Sequence, residues 1–348
     1  MKHELTAGAS RVARASLVVV LIVVAAMSTR ASTMHSKGEL EAPVRSDLRY
    51  AVRSPHGTAT AMQNRSDPPK VTTHTFQTDA GEDINIGISS YYSADEAQIQ
   101  AWKKFIGSLL HGSELSSVDF YLLPPFEVAE WCGPHAAACY APGLWPPAIF
   151  APGEDLSEEL TAEAILAHEY GHHVANSRPN PPWGALTYGT KRWASYVNVC
   201  AAVLAGQFFP GDGAENYDLN PAEGFAEAYR VTNQRRLGVG EMPWLLVDGR
   251  FYPDSTAMTL IEQDVLDPWT AHNTVTFRGR FTRGGPNRHM FEVSTTLDGV
   301  ATASVRASKG ARFRVTQTMA TVCGQRTTYF VVRRVKGFGR FELVVSRP

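Results

Sequence analysis

Hydrophobic and polar positions repeat with two different periods along this chain. Between Asp95 and Leu110, apolar residues recur at intervals of three and four, which predicts a helix. The stretches THTF, INIGISSYY and VDFYLL (Val118 to Leu123) are typical of strands. After about Ala271, apolar and polar residues alternate in stretches separated by glycine-containing turns: TVTFRGRF, TASVRAS, ARFRVTQT, TTYFVVRRV and FELVVS. The pattern predicts an α+β fold, with a mixed domain over residues 72–270 and a small all-β sandwich domain over residues 271–348.

Helices are also predicted in the middle of the first domain. Residues Pro124 to Gly153 are rich in proline, glycine and aromatic residues, and AIFAPG within them is predicted to be a short edge strand. A helix is predicted to open at EDLSEELTAEAILAHEYGHHVAN, with Asp155 and Glu158 as its capping pair, and to stop before RPNPPWG. Two further helices are predicted in TKRWASYVNVCAAVLAG and in PAEGFAEAYRVTNQRR, the second beginning at Pro221.

The first 31 residues have the pattern of a secretory signal peptide. Arg11 and Arg14 precede the apolar run LVVVLIVVAAM, and small residues follow around Ala31. A retained membrane anchor is disfavoured, because this run of eleven apolar residues falls short of the roughly 20 that span a bilayer. Residues 32–71 show hardly any apolar clustering and are predicted to be a flexible linker or a short propeptide. The chain is therefore expected to be secreted, with no stable membrane insertion after signal cleavage.

Composition narrows the class of protein. The chain has 348 residues, of which 44% are hydrophobic, and this is enough for a sizeable core. Its net charge of -1 gives no reason to expect nucleic acid or an anionic membrane surface as a partner. Its four cysteines permit disulfides if the chain is exported. Cys132 and Cys139 could close a small loop, which leaves Cys200 and Cys323 to pair or stay free, and three pairings remain open.

The stretch HEYGHH carries the first candidate chemistry. On a helix, residues four apart share a face, so His168 and His172 can both reach one metal ion, with Glu169 beside it. A hydrolytic zinc site needs a third protein ligand. The metzincin continuation is excluded, because Ala175 and Arg178 stand where that class has glycine and histidine. The segment around TYGT contains no aspartate for an aspartate-type site, which leaves a glutamate from a second helix.

The stretch NPAEGFAEAYR offers that glutamate. Glu223 and Glu227 are four apart and share a helix face, so one carboxylate can bind zinc while the other holds a ligand histidine. The competing interpretation is a solvated helix face that carries two acids. It is disfavoured beside an HExxH helix, because the two acids stand among apolar residues.

Together, HEYGHH and EGFAEAYR resemble the gluzincin-type catalytic domain of anthrax lethal factor and related secreted bacterial zinc peptidases. The resemblance implies a zincin-like domain with one catalytic zinc, bound by His168, His172 and Glu223. It also implies Glu169 as general base and Glu227 as the carboxylate that supports a ligand from behind. The family has a tyrosine seven residues before the ligand glutamate that assists the transition state, whereas this chain has Tyr217 at six. The C-terminal region is similar to β-sandwich modules that follow such peptidases.

The expected function is a secreted zinc-dependent endopeptidase that cleaves protein or peptide substrates through a zinc-activated water. His173 is expected to be a packed or solvent-facing histidine outside the site. One alternative is a catalytically inactive zincin-fold protein that acts at the cell surface through its β-sandwich. A second alternative is an iron oxygenase, which also uses two histidines and a carboxylate.

Overall fold

The computed structural model describes residues 69–324 and 326–348. The predicted signal peptide and residues 32–68 of the predicted linker lie outside the described residues. Within them the chain mixes helices with several sheets, which confirms the α+β class. The first strand begins at Val71, one residue before the predicted start of the mixed domain.

The first sheet contains five strands in the order β1-β2-β3-β5-β4. Their bounds are β1 Val71–Gln77, β2 Asp83–Ser89, β3 Asp119–Leu123, β4 Cys139–Ala141 and β5 Ala148–Pro152. Strands β2, β3 and β5 run parallel, whereas β1 and β4 are antiparallel to their neighbours. The prediction that AIFAPG forms an edge strand is wrong. Its strand, β5, lies between β3 and β4 and is buried throughout, because the short β4 covers its outer side.

Eight helices lie between and after these strands in the described part of the chain. They are α1 Glu96–Ser108, α2 Pro125–Cys132, α3 Ala162–Asn176, α4 Ala185–Tyr188, α5 Lys191–Tyr196, α6 Val199–Leu204, α7 Pro221–Leu237 and α8 Ser255–Leu266. Short 3-10 turns lie at Ser113–Ser117, Tyr217–Leu219 and Gly249–Phe251, and the two-residue strands β6 Pro179–Asn180 and β7 Trp183–Gly184 form a small ribbon. The predicted helices α1 and α7 are confirmed, with Asp95 capping α1 and Pro221 as the first residue of α7.

Two helix predictions are wrong in detail. Helix α3 begins at Ala162, where the hydroxyl of Thr161 caps it, and Asp155 is not its N-cap. The Asp155 carboxylate still accepts a hydrogen bond of 2.9 Å from the backbone N–H of Ala162 across the intervening loop. The single helix predicted through TKRWASYVNVCAAVLAG is divided into α5 and α6, because Asn198 between them adopts a left-handed conformation with φ of 57°.

The C-terminal region, called here the β-unit, consists of two antiparallel sheets. Its strands are β8 Asn273–Phe281, β9 Arg288–Ser294, β10 Gly299–Ala307, β11 Arg312–Val315, β12 Met319–Val322, β13 Thr327–Lys336 and β14 Gly339–Arg347. One sheet has the order β12-β10-β14-β8 and the other β11-β13-β9. Both contribute to one apolar cluster that includes Phe281, Phe330 and Leu343. Strands β9 and β12 were not predicted from the sequence.

Both disulfides of the chain lie at structural junctions. Cys132 pairs with Cys139 and closes the loop between α2 and β4, which confirms one of the pairings left open. Cys200 pairs with Cys323 and joins α6 to the β-unit, beside a hydrogen bond of 2.9 Å from the Asp298 N–H to the Ser195 hydroxyl. Two disulfides fit an oxidising, extracellular compartment. Among residues 69–324 and 326–348, no helix has the length and apolar content required to cross a membrane.

Candidate metal centre

Helices α3 and α7 approach closely at a glycine. A Cβ atom on Gly171 would lie 2.9 Å from the Cα and 3.2 Å from the carbonyl oxygen of Ala226. Both helices are almost completely buried in this region. The absence of a side chain at Gly171 therefore lets the helix that carries His168 and His172 meet the helix that carries the two glutamates.

Three donor atoms converge between these helices. Nε2 of His168 lies 3.3 Å from Oε2 of Glu223, and Nε2 of His172 lies 3.4 Å from the same oxygen. All three residues are buried, and one donor atom from each falls within 4.8 Å of the others. Bonds of 2.0–2.1 Å in a tetrahedral zinc site place neighbouring ligand atoms about 3.3 Å apart. The two nitrogen–oxygen distances are therefore compatible with a single metal ion held by all three residues.

Glu227 supports the first histidine from behind. Its Oε2 atom accepts a hydrogen bond of 2.9 Å from Nδ1 of His168, which leaves Nε2 facing Glu223. Glu227 is in turn bound by Arg230, whose Nε and Nη2 atoms donate to its two oxygens at 2.9 and 2.7 Å. The Arg230 guanidinium also donates to Gln234, whose side-chain oxygen accepts from the backbone N–H of Met242 at 3.2 Å. One continuous network thus links a candidate ligand to residue 242.

The electrostatics of the site follow from this network. Burial would lower the pKa of His168, but its hydrogen bonds to Glu223 and Glu227 outweigh burial and raise the pKa to about 10. Burial would raise the pKa of Glu227, but Arg230 and His168 together hold that pKa at about 2. Glu227 is therefore a permanent carboxylate and cannot release its charge at neutral pH.

Tyr217 lies against Glu223, the candidate ligand. It stands in the 3-10 turn immediately before α7, and its hydroxyl donates a hydrogen bond of 2.8 Å to Oε2 of Glu223. Burial, reinforced by the Glu223 carboxylate, raises the pKa of Tyr217 well above its ordinary value. The phenol therefore keeps its proton and remains a donor. The turn brings it to Glu223 at a spacing of six residues, one fewer than the spacing in the family that the motifs resemble.

Glu169 faces a cavity beside the donor cluster. It lines a small cavity of about 10 Å3 together with His168, Glu227 and apolar side chains that include Ile165, Met242 and Leu246. Ala137 and Ala138, from the loop closed by the Cys132–Cys139 disulfide, form another part of the wall. A carboxylate next to the donor set, at the edge of a largely apolar space, is suited to proton transfer with a water molecule held there.

His173 is confirmed as a packed histidine outside the cluster. Its Nδ1 lies 3.1 Å from the Tyr140 hydroxyl and its Nε2 lies 2.9 Å from the backbone oxygen of Glu114. Burial lowers the pKa of His173. Its neutral ring therefore ties α3 to the first sheet and takes no part in the donor set.

Sequence reasoning missed two residues that shape the site. Arg230 is fully buried and holds Glu227, and the signal was an arginine three positions after a glutamate on an otherwise apolar helix face. Gly171 sets the distance between the two helices, and the signal was a glycine within a helix that contains candidate ligands.

Two comparisons with known proteins were without a match. No protein-family model matches this sequence, and no curated protein matches it either. The case for the site therefore stands on its residues and their geometry.

Gly171→Ala should destabilise the protein although alanine is the better helix former. Helix propensity favours alanine by about 1 kcal/mol, but the added methyl group meets the Ala226 backbone, where overpacking costs about 1–3 kcal/mol. Urea unfolding measures the net loss, which should be accompanied by weaker metal binding. Gly249→Ala is the control, because its Cβ would meet no atom within 4 Å. Unchanged metal affinity in Gly171→Ala would contradict the role given to this glycine.

Proposed function

We propose that this protein is a secreted zinc metallopeptidase, with a zincin-like catalytic domain over residues 72–270 and a β-sandwich domain over residues 271–348. The observation that carries the proposal is the convergence of buried donor atoms from His168, His172 and Glu223, with both histidine nitrogens 3.3–3.4 Å from one Glu223 oxygen. The Glu169 carboxylate beside a cavity at that cluster adds the catalytic group that hydrolysis requires. The two disulfides support an extracellular site of action.

In this proposal each residue of the centre has a defined task. Zinc, when bound by His168, His172 and Glu223, polarises a peptide carbonyl and acidifies a water molecule. Glu169 accepts the proton of the attacking water and delivers it to the leaving amine. Tyr217, which stays protonated, donates a hydrogen bond to the oxyanion that develops on the carbonyl. Glu227, held by Arg230, fixes the tautomer and orientation of His168.

The apolar wall of this small cavity supports a preference for an apolar substrate side chain that packs against it next to the cleaved bond. Apart from His168, Glu169 and Glu227, its lining residues are apolar. The largest of them are Leu160, Ile165, Met242 and Leu246. A charged substrate group placed there would lose its hydration without gaining a partner. Cleavage-site profiling with a peptide library should therefore show apolar residues enriched beside the cleaved bond.

Metal analysis of the purified full-length protein is the first test. We expect about one zinc per chain and peptide cleavage that a chelator abolishes and added zinc restores. Iron in place of zinc would favour an oxygenase. Zinc without cleavage of any peptide in a broad library would favour the catalytically inactive binding protein.

The two glutamates of α7 should differ in their effect on zinc affinity. Glu227→Gln should weaken zinc binding by about 10–100-fold, the usual effect of losing a group that orients a ligand. Glu223→Gln should weaken it further, because it changes the donor itself. Competition with a chromogenic chelator measures both, and Glu215→Gln, an exposed acid just before α7, is the control. The reverse order would make Glu227 the third ligand.

A further inference from the structure

Charge is strongly segregated between the two parts of the chain. Residues 271–348 contain 14 lysines and arginines but three acidic residues, a net charge of +11. Residues 69–270 contain 10 lysines and arginines against 26 acidic residues, a net charge of -16. The whole-chain charge of -1 averages these opposite values. Such an asymmetry indicates a polyanionic partner for the basic part.

Three of these arginines form a row across the smaller sheet of the β-unit. Arg314 on β11 is directly opposite Arg333 on β13, and Arg333 is directly opposite Arg288 on β9. All three are exposed, on the face away from the apolar core. Adjacent strands lie about 4.8 Å apart, so the row presents three closely spaced guanidinium groups.

This row has no compensating acid. The ion pairs of the described β-unit are Arg278–Glu342 and Arg326–Asp298, and neither includes an arginine of the row. The other sheet differs, because Glu342 stands between Arg306 and Arg278 in the register. Like charges directly opposite each other destabilise a sheet. The uncompensated row therefore costs stability in the isolated protein, and an external anion would relieve that cost.

The row lies far from the junction with the rest of the protein. Arg326, immediately before β13, donates a hydrogen bond to the backbone oxygen of Ser195, near the Cys200–Cys323 disulfide. Arg333 is seven residues further along the chain, or about 23 Å at the rise of a strand. We call this end of the β-unit the distal end. A second pair of exposed arginines, Arg280 opposite Arg340, lies there on the larger sheet.

Apolar side chains are exposed at the same end. Val335 follows Arg333 by two residues on the same face and is 43% exposed. Phe338, in the turn between β13 and β14, is 41% exposed, and the Arg334 guanidinium covers one face of its ring at 4.5 Å. Met290, paired with Val331 in the row behind the arginines, is 67% exposed. The distal end thus combines an apolar tip with a band of cations behind it.

We propose that the distal end docks on the surface of an anionic phospholipid bilayer. Val335 and Phe338 enter the boundary between headgroups and acyl chains, while Arg288, Arg314 and Arg333 contact lipid phosphates with their planar, forked donors. A nucleic acid or acidic polysaccharide matches the charge, but its hydrated backbone offers no apolar environment for Val335 and Phe338. The bilayer accounts for both properties of the surface. The proposal does not depend on peptidase activity.

Vesicle co-sedimentation of the full-length protein tests this docking. We expect binding to vesicles of phosphatidylserine and phosphatidylcholine, falling with salt, and no binding to phosphatidylcholine alone. The double variant Arg314→Gln with Arg333→Gln should weaken binding roughly 25-fold, since each surface cation contributes about a factor of five. Phe338→Ser should also weaken binding but leave its salt dependence unchanged.

The control is Arg278→Gln with Arg306→Gln, which removes the same charge from either side of Glu342. This variant should weaken binding by less than about fivefold. If both double variants lost vesicle binding equally, net charge alone would explain the loss, and the assignment of binding to the distal end would be overturned. Failure to bind the anionic vesicles, or tighter binding to duplex DNA or heparin at the same salt, would overturn the lipid assignment. Thermal unfolding should show no loss of stability in Arg314→Gln with Arg333→Gln, because the change removes two like charges that lie directly opposite each other.

Discussion

Glu169→Gln should reduce peptide cleavage by at least about 100-fold while the protein keeps its zinc. The amide has almost the shape of the carboxylate but cannot accept the proton of the attacking water. Glu169 is not one of the three converging donors, which are His168, His172 and Glu223. The variant should therefore separate metal binding from catalysis, two properties that a change of any ligand would alter together.

The measurement pairs a fluorogenic peptide assay with metal analysis on the same preparation. Glu163→Gln, in the first turn of the same helix, makes the same chemical change away from the donor cluster and should retain activity. Cleavage that survives Glu169→Gln would show that another group is the base. Loss of zinc from Glu169→Gln would instead place Glu169 among the ligands.

Arg230→Met should lower the free energy of unfolding by about 3–5 kcal/mol, because it leaves the Glu227 carboxylate buried without its cation. Both side chains of this ion pair are fully buried, and two hydrogen bonds join them. Methionine retains much of the side-chain volume, so the loss should come from charge more than from a cavity. Zinc affinity should fall as well, since Glu227 orients His168.

Arg235→Met is the matched control for this prediction. Arg235 lies on the same helix, but its side chain is 38% exposed and its partner Glu241 is 30% exposed. Exposed ion pairs contribute about 0–1 kcal/mol, so urea unfolding should barely distinguish this variant from the parent. Similar losses in both variants would mean that Arg230 contributes helix packing and no specific support to Glu227.

The sequence predicted those parts of the site in which the residues lie close together along one helix. His168 and His172 share a face because they are four apart on a helix, and the prolines after Asn176 end that helix. Glu223 and Glu227 share a face of α7 for the same reason. Spacing alone did not distinguish their roles, which depend on where α7 crosses α3, and that crossing depends on Gly171 and Ala226.

The errors in the fold have the same origin. AIFAPG was misplaced at a sheet edge because its outer neighbour, the three-residue strand β4 at Cys139–Ala141, is too short to be recognised from alternation in the sequence. The start of α3 was misplaced because Asp155 and Thr161 both have side chains that suit a helix start, and packing selected Thr161. In the β-unit, the charge imbalance can be counted along the chain, but the alignment of Arg288, Arg314 and Arg333 required the register of three strands.

Helix periods, strand alternation and the pairs of residues four apart follow from the geometry of neighbouring residues, so the amino-acid order alone specifies the α+β class and both candidate ligand helices. Contacts between distant segments depend on which surfaces pack together, and that free energy is shared among many side chains. Only the folded chain therefore brought Glu223 to the two histidines, placed Arg230 behind Glu227 and aligned the three arginines on one face.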